Sequence, residues 1–78
     1  MGKDKILAIL KEIRPEYDFE TSEDFVAEGL LDSFDVVTLV SELETAFDVV
    51  IDGLDVVPEN FNNIDSILEV LKKNGASV

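Results

Sequence analysis

At 78 residues and a formal net charge of −12, this chain has room for one small domain and little room for an enclosed active site. It contains no Cys and no His, which excludes disulfides, thiol chemistry and the commonest general base. Its negative charge would repel nucleic-acid phosphates, so we expect no nucleic-acid binding. We predict a single domain over residues 1–78 that is not an enzyme and that meets basic patches on other proteins.

The six basic residues lie near the two ends of the chain, with none between Pro15 and Leu71. The N-terminal apolar run from Ile6 to Leu10 is broken by Lys11 and Glu12. It matches neither a signal peptide nor the roughly 20 apolar residues of a membrane span. We therefore expect a cytoplasmic protein without a membrane span, and we expect it to be a monomer.

The first predicted helix runs from about Lys3 to Ile13, because its apolar residues recur at spacings of three and four. Pro15 ends it, since the residue before a proline is pushed out of the helical region. The following connection, residues 16–31, is too apolar for a free linker. We expect some of its apolar side chains to insert between the helices, with Thr21 or Ser22 capping a single turn.

The second predicted helix begins near Ser33, which is a candidate N-cap, and Asp35 lies in its first turn, where the helix dipole favours a negative charge. A core-facing stripe follows at helical spacing: Val36, Leu39, Val40, Leu43 and Phe47. This stripe is the clearest periodic pattern in the chain.

Residues 49–51 could form a short extended stretch, but no second strand is available to pair with it. Pro58 suits the start of a short helical turn through Phe61. Asn63 is a plausible cap for a last helix from Ile64 to about Lys73, with an inner face made of Ile64, Ile67, Leu68 and Leu71. We predict an all-α fold, an antiparallel bundle of three longer helices and one short helix with a long first crossover loop.

Ser33 is the only residue that the pattern marks as a covalent attachment point. A hydroxyl at a helix start is sterically open, and an anion attached there would lie near free backbone N–H groups. Without a histidine to activate it, Ser33 is not expected to act as a hydrolase nucleophile. The alternative from spacing alone is that Ser33 simply caps the helix.

The run from Asp32 to Val40 resembles the Asp-Ser-Leu motif and following helix of the acyl and peptidyl carrier proteins, and the likeness extends over nearly the whole chain. It implies that Ser33 bears 4′-phosphopantetheine, which a separate phosphopantetheinyl transferase supplies from coenzyme A, with Asp32 supporting that enzyme. It also implies a partner interface on the second helix. Arg and Lys side chains of partner enzymes would bind Asp35 and Glu44, and Phe34 and Val37 would be exposed apolar positions near the arm. The structural alternatives are a dipole role for Asp35 and partial burial of the two apolar residues.

Some residues depart from the fatty-acid carriers that the chain resembles. Phe34 replaces the usual leucine or methionine, Thr38 stands at a typical glutamate position, and Ser41 stands where methionine is frequent. Residues 57–61 look more like those of stand-alone aminoacyl carriers. No metal site is expected, because the acidic residues of the loop over residues 48–55 lack EF-hand spacing.

The function that this resemblance implies is an acyl carrier protein. It would hold acyl groups as thioesters on the arm, receive them from a loading ligase and deliver them to enzymes of fatty-acid or polyketide-type biosynthesis. One alternative is an aminoacyl carrier of the D-alanyl or peptidyl type. The alternative from another class is an acidic protein-interaction module without a prosthetic group.

Overall fold

Three α-helices and two short 3-10 turns make up the computed structural model, which describes residues 2–78. Helix α1 spans Gly2–Ile13, α2 spans Ser33–Phe47 and α3 spans Ile64–Lys73, and the 3-10 turns at Gly53–Asp55 and Pro58–Asn60 lie between α2 and α3. No strand forms within residues 2–78, so the all-α prediction is confirmed for them. The Pro58 turn was predicted, whereas the Gly53–Asp55 turn was not. None of the helices in this range is long and apolar enough to cross a membrane.

Helix α1 packs against both α2 and α3 and contributes Ile6, Ile9 and Leu10 to the core. It also caps the far end of α2, whose last turn contains no basic residue. Lys5 Nζ donates a hydrogen bond to the Ala46 carbonyl at 3.1 Å and lies 5.0 Å from the centroid of the Phe47 ring. A cation on the carbonyl end of a helix is favourable, so Lys5 joins the start of α1 to the end of α2.

The connection between α1 and α2 is anchored by aromatic side chains, as its composition predicts. Phe19 and Phe25 are almost fully buried and meet edge to face with centroids 5.1 Å apart. The Phe25 amide donates to the Asn62 carbonyl at 2.7 Å, which ties this connection to the segment before α3. The segment therefore helps to form the core.

Asp24, rather than Thr21 or Ser22, caps the single turn in this connection. Its Oδ1 accepts hydrogen bonds from the amides of Val26 and Ala27 at 3.1 and 2.9 Å. Thr21 instead approaches the Asp18 carbonyl at 3.5 Å. The prediction placed the cap two or three residues too early.

Helix α3 begins as predicted, because Asn63 Oδ1 accepts a hydrogen bond from the Ser66 amide at 2.8 Å. Its buried residues are Ile67, Val70 and Leu71, whereas Ile64 and Leu68 are only partly buried. The inner face is therefore rotated slightly from the predicted one, toward Val70.

The C-terminal end of α3 is fastened to the loop that follows α2. Asp55 is buried, and its carboxylate accepts hydrogen bonds from Lys73 Nζ at 2.7 Å and from Asn74 Nδ2 at 3.2 Å. The hydrogen bond from Lys73, followed by that from Asn74, lowers the pKa of Asp55. The Asp52 amide also donates to Asn74 Oδ1, so several polar contacts hold this loop in place.

Candidate functional site

The start of α2 is organised by a capping box formed by Asp32 and Asp35. Asp32 has an extended backbone and is the N-cap, and its Oδ1 accepts a hydrogen bond from the Asp35 amide at 2.8 Å. In return, Asp35 Oδ2 accepts from the Asp32 amide at 3.1 Å. The prediction of Ser33 as the N-cap is therefore wrong, because the residue before it satisfies the free amide of the first turn.

Ser33 occupies the first helical position and is exposed to solvent. Its hydroxyl makes no hydrogen bond with any other part of residues 2–78. The first amides of a helix have no intrahelical acceptors, and the helix dipole gives this end a partial positive charge. An exposed, unengaged hydroxyl beside these amides fits the attachment of a group through a phosphodiester.

Arg14, the single arginine of the chain, extends from the end of α1 to this capping box. Its Nε donates to Asp35 Oδ2 at 2.9 Å, and its two terminal nitrogens lie 3.5 Å from Asp32 Oδ2 and from Glu16 Oε2. Three carboxylates thus converge on one guanidinium next to Ser33. Arg14 was not among the predicted site residues, because no local pattern links it to residues 32 and 35; the Asp-x-x-Asp spacing indicates only the capping box.

Asp35 is a buried ion-paired carboxylate. Burial by itself raises the pKa of Asp35, but the hydrogen bond from Arg14 and the bond from the Asp32 amide outweigh it and leave the pKa below its ordinary value. The same hydrogen bond raises the pKa of Arg14. Asp35 therefore stays charged and bound inside the protein.

The four residues predicted as a partner interface fall into two groups. Phe34 and Val37 are 83% and 62% exposed, so the alternative of partial burial is wrong for both. Asp35 is held by Arg14, and Glu44 is partly buried with its Oε2 accepting from the Ile51 amide at 2.9 Å. The structure thus places the two apolar side chains on the surface beside Ser33 and gives both carboxylates partners within the chain.

One family model matches the chain, over residues 4–71, and it describes the phosphopantetheine attachment site. The matched range covers more than half of the chain and includes most of α1, all of α2 with the run around Ser33, and most of α3. Proteins of that family carry covalently attached 4′-phosphopantetheine, and the domain is a carrier rather than a catalytic one. No curated protein matches the chain.

Proposed function

This chain belongs to the phosphopantetheine attachment family, and from that membership we propose that Ser33 is the residue that bears the arm. The chain is thus a phosphopantetheine-bearing carrier protein, and we infer one carrier domain over residues 1–78 without catalytic activity of its own. The observation that carries the assignment is the free Ser33 hydroxyl, which is exposed and without a hydrogen bond because Asp32 performs the capping. A serine used as the cap would have its oxygen engaged with the backbone.

Ser33 would serve as the acceptor in a reaction that a transferase catalyses. Its Oγ would form the new bond to phosphorus, the bond from that phosphorus to the nucleotide part of coenzyme A would break, and the hydroxyl proton would pass to the transferase. The chain has no histidine to take that proton, and we therefore assign the base to the transferase. The amides of the first turn that Asp32 does not engage would then lie near the new phosphodiester. Once bound, the arm supplies a thiol that carries cargo as a thioester.

The partner surface that the structure supports best consists of Phe34 and Val37. Val37 follows Ser33 by four positions and Phe34 by three, so Val37 neighbours both residues on the helix surface, and an enzyme that reaches the Ser33 hydroxyl can contact both exposed apolar side chains. An exposed aromatic residue is a frequent source of binding energy in such contacts. Phe34→Ala should slow modification without lowering thermal stability, and an unchanged rate would count against this surface.

We propose acyl groups as the cargo, delivered to enzymes of fatty-acid or polyketide-type biosynthesis after loading by a ligase. The resemblance of the run around Ser33 to acyl carriers supports this choice. The aminoacyl alternative is supported by residues 57–61, which resemble those of stand-alone aminoacyl carriers. Loading the arm-bearing protein with candidate ligases and either fatty acids or amino acids separates the two. The cytoplasmic location stays a prediction.

Mass spectrometry tests the assignment of Ser33. The purified chain is incubated with coenzyme A, magnesium and a broad-specificity phosphopantetheinyl transferase, and we expect a gain of one phosphopantetheine. Ser33→Ala should abolish the gain, whereas Ser41→Ala, which changes another exposed serine of α2, should leave it intact. No gain on the unaltered chain with a transferase that modifies a known carrier would favour the acidic interaction module. A mass gain that persists in Ser33→Ala would show that the arm is attached to another residue.

A further inference from the structure

Arg14 holds a position from which it can balance charge at the attachment site. Its guanidinium lies within 3.5 Å of carboxylate oxygens of Asp32, Asp35 and Glu16. It is the only basic side chain that forms an ion pair with the capping box within residues 2–78. The local charge is one positive group against three negative ones.

An arm on Ser33 would add a further negative charge at this point. Asp32 and Ser33 are consecutive, with Cα atoms about 3.8 Å apart, so the guanidinium that contacts Asp32 lies within roughly 10 Å of the new phosphodiester. At low ionic strength this distance is well within the Debye length, which is about 30 Å at 0.01 M, so the phosphodiester and Arg14 interact there, whereas physiological salt screens most of the interaction. Removing Arg14 would leave the phosphodiester among three carboxylates without a neighbouring cation.

We propose that Arg14 is a positioning residue for the arm-bearing state: it orients the Asp32–Asp35 capping box and offsets the negative charge that the phosphodiester adds at Ser33. This inference rests on the proposed function of Ser33. It gives the residue that follows α1 a role in stabilising the arm-bearing protein, in addition to its part in the fold. The role is electrostatic, so it depends on the charge of Arg14 as well as on its hydrogen bonds.

The test compares the arm-free and arm-bearing forms of the same variant by urea unfolding. In the unaltered protein, where Arg14 offsets part of the local negative charge, the arm should lower the folding equilibrium constant less than it does in Arg14→Gln. In Arg14→Gln the arm should lower that constant about two- to fivefold at low salt, as expected for the loss of one charge at about 10 Å, and 0.5 M NaCl should shrink the effect. Arg14→Lys, which keeps the charge, should behave like the unaltered protein in this difference.

Two further variants separate the electrostatic role from a merely structural one. Lys11→Gln removes the same charge from an exposed position of α1 outside the capping box, and it should leave the effect of the arm unchanged. The double variant Arg14→Gln with Asp35→Asn restores the local charge without restoring the ion pair. It should remove most of the penalty that the arm causes in Arg14→Gln.

The outcomes distinguish this inference from the proposed function. If the unaltered chain accepts no arm, the assignment of Ser33 fails first. If it accepts the arm and Arg14→Gln shows the same difference between its two forms as the unaltered protein, the role of Arg14 is refuted while Ser33 stands. A penalty that persists in Arg14→Lys or in the double variant would equally refute the electrostatic role.

Discussion

Replacing Ser33 and Asp32 by alanine, one at a time, tests whether Asp32 caps α2 and leaves the Ser33 hydroxyl free. Ser33→Ala removes a hydroxyl that makes no hydrogen bond within residues 2–78, so the free energy of unfolding should change by no more than about 0.5 kcal/mol. Asp32→Ala removes the acceptor of the Asp35 amide, whose bond is 2.8 Å long, and the loss of such a cap costs about 1 kcal/mol. For a domain of this size, that cost lowers Tm by about 4–8 °C.

Circular dichroism at 222 nm during urea and thermal unfolding measures both changes, and the transferase reaction is followed on the same samples. Ser33→Ala should keep its stability and lose the modification completely. Asp32→Asn should keep nearly all of the stability, because asparagine is as good a cap as aspartate. Equal losses of stability in Ser33→Ala and Asp32→Ala would show that the serine hydroxyl caps α2 and would refute the reasoning that leaves it free.

Three other substitutions probe contacts away from Ser33. The hydrogen bond from Lys73 holds the pKa of Asp55 below its ordinary 3.8, so its stabilising effect is complete above that pH and is lost as the pH falls below it. Asp55→Asn should therefore lower Tm at pH 7 and flatten its fall as the pH drops below 3.8, and an unchanged slope would contradict this. Asp48 has a φ of 51°, so Asp48→Gly should raise the unfolding free energy by about 0.5 kcal/mol in urea titrations, and a loss of stability would contradict the left-handed backbone. Lys5→Gln removes the cation on the Ala46 carbonyl and should cost about 0.5 kcal/mol at low salt and less at high salt, whereas a salt-independent loss would point to packing.

The helices were largely predictable, because their signals are local. Periodic apolar residues placed α1 and α2 within a residue or so of their observed bounds, and the bounds of α3 agree with the prediction. Asn63 was identified as a cap from its type and position alone. The Gly53–Asp55 turn was missed because a single 3-10 turn leaves no periodic pattern to detect.

The site was predictable only in part. The motif marked Ser33, Phe34 and Val37 as exposed positions at the start of a helix, and all three are on the surface. Asp32 and Ser33 are neighbours that both suit an N-cap, and only the backbone conformation of residue 32 decides between them. The sequence could not show that choice, although it determines whether the serine hydroxyl is free.

The sequence by itself determined a small acidic helical domain with one serine in a carrier-type motif, because composition, periodicity and a short motif need no distant contacts. The tertiary structure alone decided which carboxylates remain available to partners. Arg14 and Asp35 are 21 positions apart and meet only when α1 packs against α2, whereas Glu44 reaches the Ile51 amide because the chain turns back at Asp48 after the end of α2. Folding commits both carboxylates internally and leaves Ser33 with apolar neighbours on its exposed side.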